Sequence, residues 1–143
     1  MTARPARDLA APGQRLVVLY DRDCGLCTAT ARRLRRWDRA GRLELVPLQD
    51  AAGSARPALA SMAARSLTAA LHVLDERTGE VRAGGDAALA IAAALPGGAL
   101  ARPVAAIPPA RWLVGVLYEA VARNRHRIGR WLDLEGPVCD VPR

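Results

Sequence analysis

The chain has 143 residues, enough for one domain whose core needs no disulfide staples. It is 51% hydrophobic, yet no charge-free apolar run approaches the roughly 20 residues of a membrane span, so no transmembrane segment is expected. The net charge of +7 is carried by arginine with no lysine at all, a compositional skew alongside abundant alanine, and no nucleic-acid partner is expected from it.

Residues 1–14 lack an apolar signal-peptide core and read as a disordered leader, so a cytoplasmic location is expected. LVVLY (Leu16–Tyr20) is a continuous apolar and β-branched run, the pattern of a strand buried on both faces. A short acidic turn leads to Cys24-Gly25-Leu26-Cys27, after which Cys27, Ala31, Leu34 and Trp37 recur on one helix face. Helix one is expected over residues 24–40, stopped by Gly41, with Arg32, Arg33, Arg35, Arg36 and Arg39 on its solvated side. Residues 43–48, LELVPL, form a second strand. Pro47 lacks a donor, so this strand lies at a sheet edge or ends there. The strand–helix–strand order implies a right-handed parallel crossover.

Residues 49–56 read as loop, and Pro57 opens a short helix reaching residue 65. Residues 69–74 and Val81–Ala83, joined by the turn DERTG, form a hairpin. A helix capped by Asp86 runs to Leu95 and stops at Pro96-Gly97-Gly98. Over residues 110–124, Leu113, Val116, Leu117, Ala120 and Val121 make one apolar helical stripe. A basic cluster follows at residues 123–127, then a short piece with Trp131 and a tail with Cys139.

The expected fold is a thioredoxin- or glutaredoxin-like α/β domain: a four-stranded mixed sheet flanked by helices over residues 15–98. Residues 99–143 add a C-terminal helical extension and tail packed on the same domain. A Cys-x-x-Cys where a strand gives way to a helix is where that fold keeps its redox centre. The first amides of a helix are unpaired and carry partial positive charge, which favours a thiolate, the attacking species in disulfide exchange. Cys24 is therefore expected at the exposed helix entrance as the nucleophile, and Cys27, one turn in and more buried, as the resolving thiol. Asp21 is expected either to relay protons to and from Cys27 or, like Asp23, to cap the helix. Cys139 reads as a peripheral thiol, and His72 and His126 as structural or surface residues.

The sequence also resembles the DCC family of thiol-disulfide oxidoreductases. The match lies in D-x-x-C-x-L-C (Asp21, Cys24, Leu26, Cys27), in GGDAAL at residues 84–89 and in ARNRHRIGRW at residues 122–131. Arg22 stands where that family has glycine. The thioredoxin cis-proline is also missing from residues 65–68, where Leu67 or Thr68 would line the site instead. The resemblance implies redox activity, and the dithiol reading expects disulfide exchange with no metal or organic cofactor. The resemblance does not supply a substrate; from the dithiol chemistry itself, a protein or small-molecule disulfide substrate and a reducing partner such as a thioredoxin or glutathione system are expected.

Three other chemistries compete. LVVLYDRD resembles the first motif of haloacid-dehalogenase-type phosphatases, with Asp21 as nucleophile, Asp23 as general acid and Mg²⁺ between them, but the lysine that this mechanism wants is lacking. A zinc site would have to draw on Cys24, Cys27, Cys139, His72 and His126, which are scattered. Finally, the arginine-rich faces could serve a non-enzymatic module that binds an anionic partner.

Overall fold

The computed structural model describes residues 14–63 and 71–134. The leader before Gln14, residues 65–68, the start of the third strand at 69 and 70, and the Cys139 tail lie outside the described residues. β1 (Leu16–Tyr20) is buried along its whole length. It is an inner strand of a four-stranded sheet in the order β2-β1-β3-β4. β2 (Leu43–Pro47) pairs with it in parallel, Leu16 beside Leu43 through Tyr20 beside Pro47. On the other side β3 (His72–Asp75) runs antiparallel, and β4 (Val81–Ala83) completes the hairpin. Pro47 thus both ends a strand and occupies a sheet edge, the places where a missing donor does no harm.

Alternate residues of β1 point to opposite faces, so the strand feeds two cores. Leu16 and Val18 pack with Val73 beneath α4 (Gly84–Ala94), against Ala87, Ala90, Ile91 and Ala94. Val17 and Leu19 pack with Leu74, Ala51, Leu59 and Met62 on the other face. The last three come from α2 (Leu48–Ala51) and α3 (Pro57–Ala63). A turn of helix therefore stands at the start of the expected loop 49–56, because burying Ala51 closes the lower core. Gln14, the last residue of the expected leader, is also buried, its amide donating to the Asp75 carboxylate.

α1 spans Gly25–Trp37 and stops short of the expected residue 40. The cause is Asp38, whose carboxylate accepts from the N–H groups of Arg42 at 2.9 Å and Leu43 at 2.8 Å and turns the chain into β2. Gly41, at φ +62°, takes the left-handed step in that return. Trp37 is exposed rather than on the buried face, and Arg33 lies 6.0 Å from its ring centre. At α4 the cap differs from expectation: Ala83 holds the cap position with no side-chain bond, and Asp86 sits inside the first turn. Its carboxylate is instead committed to a bidentate pair with Arg111, 2.8 Å on each arm.

After a 3-10 turn at Gly98–Leu100 come α5 (Ala101–Ala106) and α6 (Pro108–Trp131). α6 is one unbroken helix that absorbs both the basic cluster and Trp131. Its apolar stripe faces outward, with Leu113, Val116, Leu117 and Val121 all exposed. The inward face carries Gly115, Tyr118, Ala122, Arg125 and Gly129, which are small or have a polar tip, together with Val114 and Ile128. Among the described residues no single helix is long and apolar enough to cross a membrane, and the α5–α6 region reaches that composition only across a bend of 108°.

Candidate active site

Cys24 is the N-cap residue of α1, in extended conformation at φ −101° and ψ 112°. The turn before it is closed by the Cys24 N–H donating to the Asp21 carbonyl at 3.3 Å and by the Asp23 N–H donating to the Asp21 carboxylate at 3.0 Å. Arg22 fits this turn without a glycine, since Asp133 alone among the described non-glycine residues has a positive φ. Its N–H donates to the Gln49 side-chain oxygen at 3.3 Å, and its guanidinium meets Asp50 at 2.6 Å. The Gln49 amide nitrogen in turn reaches Asp21 at 2.9 Å and Asp23 at 3.1 Å. Both carboxylates are thus held by the turn and Gln49. The capping group of α1 is the Cys24 sulfur, which accepts from the Cys27 N–H at 3.4 Å.

That arrangement separates the two thiols. Hydrogen bonding from the Cys27 side chain lowers Cys24 to about 6, with the Cys27 N–H and the Arg125 charge acting the same way against burial and Asp21. Cys27 moves upward, chiefly because it donates to Cys24, and burial and the neighbouring thiolate push it further. Cys24 is thus the more acidic of the two, whereas the order of exposure is the reverse of that expected. Cys24 is 1% exposed, and Cys27 is the half-buried thiol. The C-terminal half of α6 lies against the start of α1. A Cβ built on buried Gly129 would sit 3.9 Å from the Leu26 nitrogen.

Three stretches far apart in sequence build this centre. Residues 21–27 supply the thiols. In the second stretch, Gly85 lets α6 approach α4 closely, since a Cβ there would lie 2.8 Å from Gly115 Cα, and Asp86 anchors Arg111 near the start of α6. The Gly84 N–H donates to the Leu71 carbonyl at 3.0 Å, and the Leu71 N–H donates to the Tyr118 hydroxyl at 2.5 Å. In the third stretch, Arg125 brings its charge to bear on both cysteines. Arg125 and Tyr118 were not singled out in the sequence as site residues. The signal was there in the spacing of Tyr118, Ala122, Arg125 and Gly129, which share one helix face.

Beside Cys27 lies a cavity of about 270 Å³, lined among others by Leu26, Leu34, Leu45, Tyr118 and Arg125, with Asp21 and His72 also at its wall. His72, expected as a structural or surface residue, lies in β3. His126 is on the exposed side of α6, and among the described residues no three His, Cys, Asp or Glu side chains converge as metal ligands would.

A mixed sheet with an antiparallel second half, helices on both faces and a dithiol where β1 gives way to α1 define a thioredoxin-like α/β protein. The chain belongs to the DCC1-like thiol-disulfide oxidoreductase family, whose model matches residues 18–131. No curated protein and no solved structure matches it. Membership assigns thiol-disulfide redox chemistry in general, with disulfide substrates and redox partners, to the chain. It also sets the dithiol ahead of the Asp21/Asp23 phosphatase chemistry.

Proposed function

We propose that the chain is an enzyme that exchanges dithiol and disulfide at Cys24 and Cys27, the Cys-x-x-Cys at the start of α1. The observation that carries this is the asymmetry of the pair: a shielded sulfur lowered to about 6 next to a thiol pushed upward that faces a cavity. A dithiol of this kind has a good leaving group and a reachable partner sulfur.

In the forward sense a substrate thiolate attacks Cys27 Sγ of the Cys24–Cys27 disulfide. A bond forms between the substrate sulfur and Cys27. The Cys24–Cys27 bond breaks, and its electron pair stays on Cys24, whose thiolate the Cys27 N–H and Arg125 stabilise. A second substrate thiolate attacks the substrate sulfur of the mixed disulfide, releasing the oxidised substrate and leaving Cys27, which takes up a proton. Asp21, at the cavity wall, is the group assigned to pass that proton. Run in reverse, the same steps reduce a disulfide. Cys24 remains the charged nucleophile of the pair, attacking Cys27 when the internal disulfide closes. The expected direct attack of Cys24 on substrate does not suit its 1% exposure. The redox partner is a thiol system of the glutathione or thioredoxin kind, and a cytoplasmic site of action is proposed with it.

The test is a titration in glutathione redox buffers with acid trapping and intact-mass readout, zinc being assayed in the same samples. A reversible two-electron transition should persist in Cys139→Ser and vanish in Cys24→Ser and Cys27→Ser. Cysteines that stay reduced in every buffer, or that hold stoichiometric zinc, would overturn the proposal.

A further inference from the structure

The dithiol exchange proposed above leaves open what the thiol or disulfide substrate is, and the surroundings of Cys27 restrict it. Cys24 is shielded, so the sulfur that an exchange partner meets is Cys27, and Cys27 lies in the wall of a concave space instead of on a convex surface. At about 270 Å³ the space is at the small end of ligand cavities, a size suited to a compact ligand. Its walls are mostly apolar, with Leu26, Leu34 and Leu45 on the sheet and α1 side and the Tyr118 ring on the α6 side. The Tyr118 hydroxyl is already committed to the Leu71 N–H.

Charge at the wall is divided unequally. The Asp21 carboxylate accepts from the Asp23 N–H and the Gln49 amide, which satisfy it from the turn. Arg125 forms no ion pair with a carboxylate among the described residues, and it is half-buried at the cavity. A half-buried guanidinium with no carboxylate among the described residues to meet it is suited to an anionic group on a ligand.

We infer that the cavity beside Cys27 is the substrate site, and that its substrate is a compact, largely apolar thiol or disulfide carrying an anionic group that pairs with Arg125. The apolar part fills the space between α1 and α6, and the anion sets the orientation in which the substrate sulfur faces Cys27 Sγ. This inference rests on the proposed exchange, and the experiment below separates the two.

Oxidised protein is mixed with 4-mercaptobenzoate, with uncharged 4-methylbenzenethiol, with glutathione and with a short cysteine-containing peptide. Each rate is divided by the rate of the same thiol with oxidised glutathione, which removes differences in intrinsic reactivity. The expected order is 4-mercaptobenzoate, then 4-methylbenzenethiol, then the two polar thiols, with about a tenfold step at each stage. Arg125→Gln should erase the preference of 4-mercaptobenzoate over its uncharged analogue. Because both thiols meet the same cysteines, any change of Arg125 on the dithiol itself cancels in that ratio. Ala122→Phe, which fills the cavity from α6, should remove the preference for both aromatic thiols.

Equal normalised rates for all four thiols would overturn the inference. So would a charge preference unchanged in Arg125→Gln, or an Ala122→Phe variant that slows every thiol alike. In each of these cases a two-electron glutathione transition in the same preparation leaves the exchange proposal standing. Its absence removes both.

Discussion

At the scale of single residues, the two cysteines differ because the chain between them turns into a helix. The Cys27 N–H, one of the first amides of α1, has no carbonyl to meet and points at the Cys24 sulfur. The same turn sets the Cys27 thiol to donate to Cys24, so one sulfur gains negative charge and the other is held protonated. In the reduced Cys139→Ser protein, thiolate absorbance at 240 nm should therefore rise as one transition with a midpoint at about 6, which is lost when Cys24→Ser is added. A single transition above pH 8 would contradict this. The sign for stability follows. Cys24 titrates lower in the folded than in the unfolded chain, so its contribution is fully present above the unfolded value near 9 and is lost as pH falls through 6. Relative to Cys24→Ser, the reduced protein should gain stability from pH 6 to pH 9, by at most about 1.4 kcal/mol per pH unit.

At the scale of elements, the decisive contact is the crossing of α4 and α6. It positions Arg125 and Gly129 over the start of α1, yet its closest approach involves two glycines with unequal surroundings. A methyl group on Gly85 would meet Gly115 Cα at 2.8 Å, and backbone cannot yield as a side-chain tip can. One on Gly115 would meet nothing within 4 Å. Gly85→Ala should therefore destabilise by more than about 2 kcal/mol. Gly115→Ala should be neutral or stabilising by up to about 1 kcal/mol through helix propensity. Urea denaturation of both variants decides it, and equal effects would show that the crossing is not the tight contact described here. Gly85→Ala should also raise the Cys24 midpoint, since Arg125 moves away with α6. Where elements ended differently from expectation, a tertiary partner was the cause: Asp38 meeting the amides before β2 shortened α1, and Arg111 drew Asp86 away from a capping role. Such partners lie 4 to 25 positions away and have no local signature in the sequence.

At the scale of the whole molecule, the fold and the dithiol could be read from the chain because each rests on a local pattern. A five-residue apolar run, a Cys-x-x-Cys at its end and a hairpin turn are enough to order the sheet. The placement of α6 could not be read this way. Its apolar stripe, ordinarily taken as a core face, points outward, Leu117 being 58% exposed, while a face carrying glycine, alanine, Tyr118 and Arg125 turns inward. Binary patterning fails here because close helix approach and a charge for the cysteines are served by small and polar residues, and hydrophobicity does not report either. At the site, this inward face of α6 brings Tyr118, Ala122 and Arg125 to the cavity beside Cys27. The central claim, a redox pair whose reduced form holds one thiolate and one thiol, is tested most directly by the reduction potential measured against pH. Below about pH 6 the potential should fall by about 59 mV per pH unit, and from pH 6 to 9 by about 30 mV, because reduction then takes up one proton for two electrons. A slope of about 59 mV per unit up to pH 8, or no measurable potential, would contradict the account.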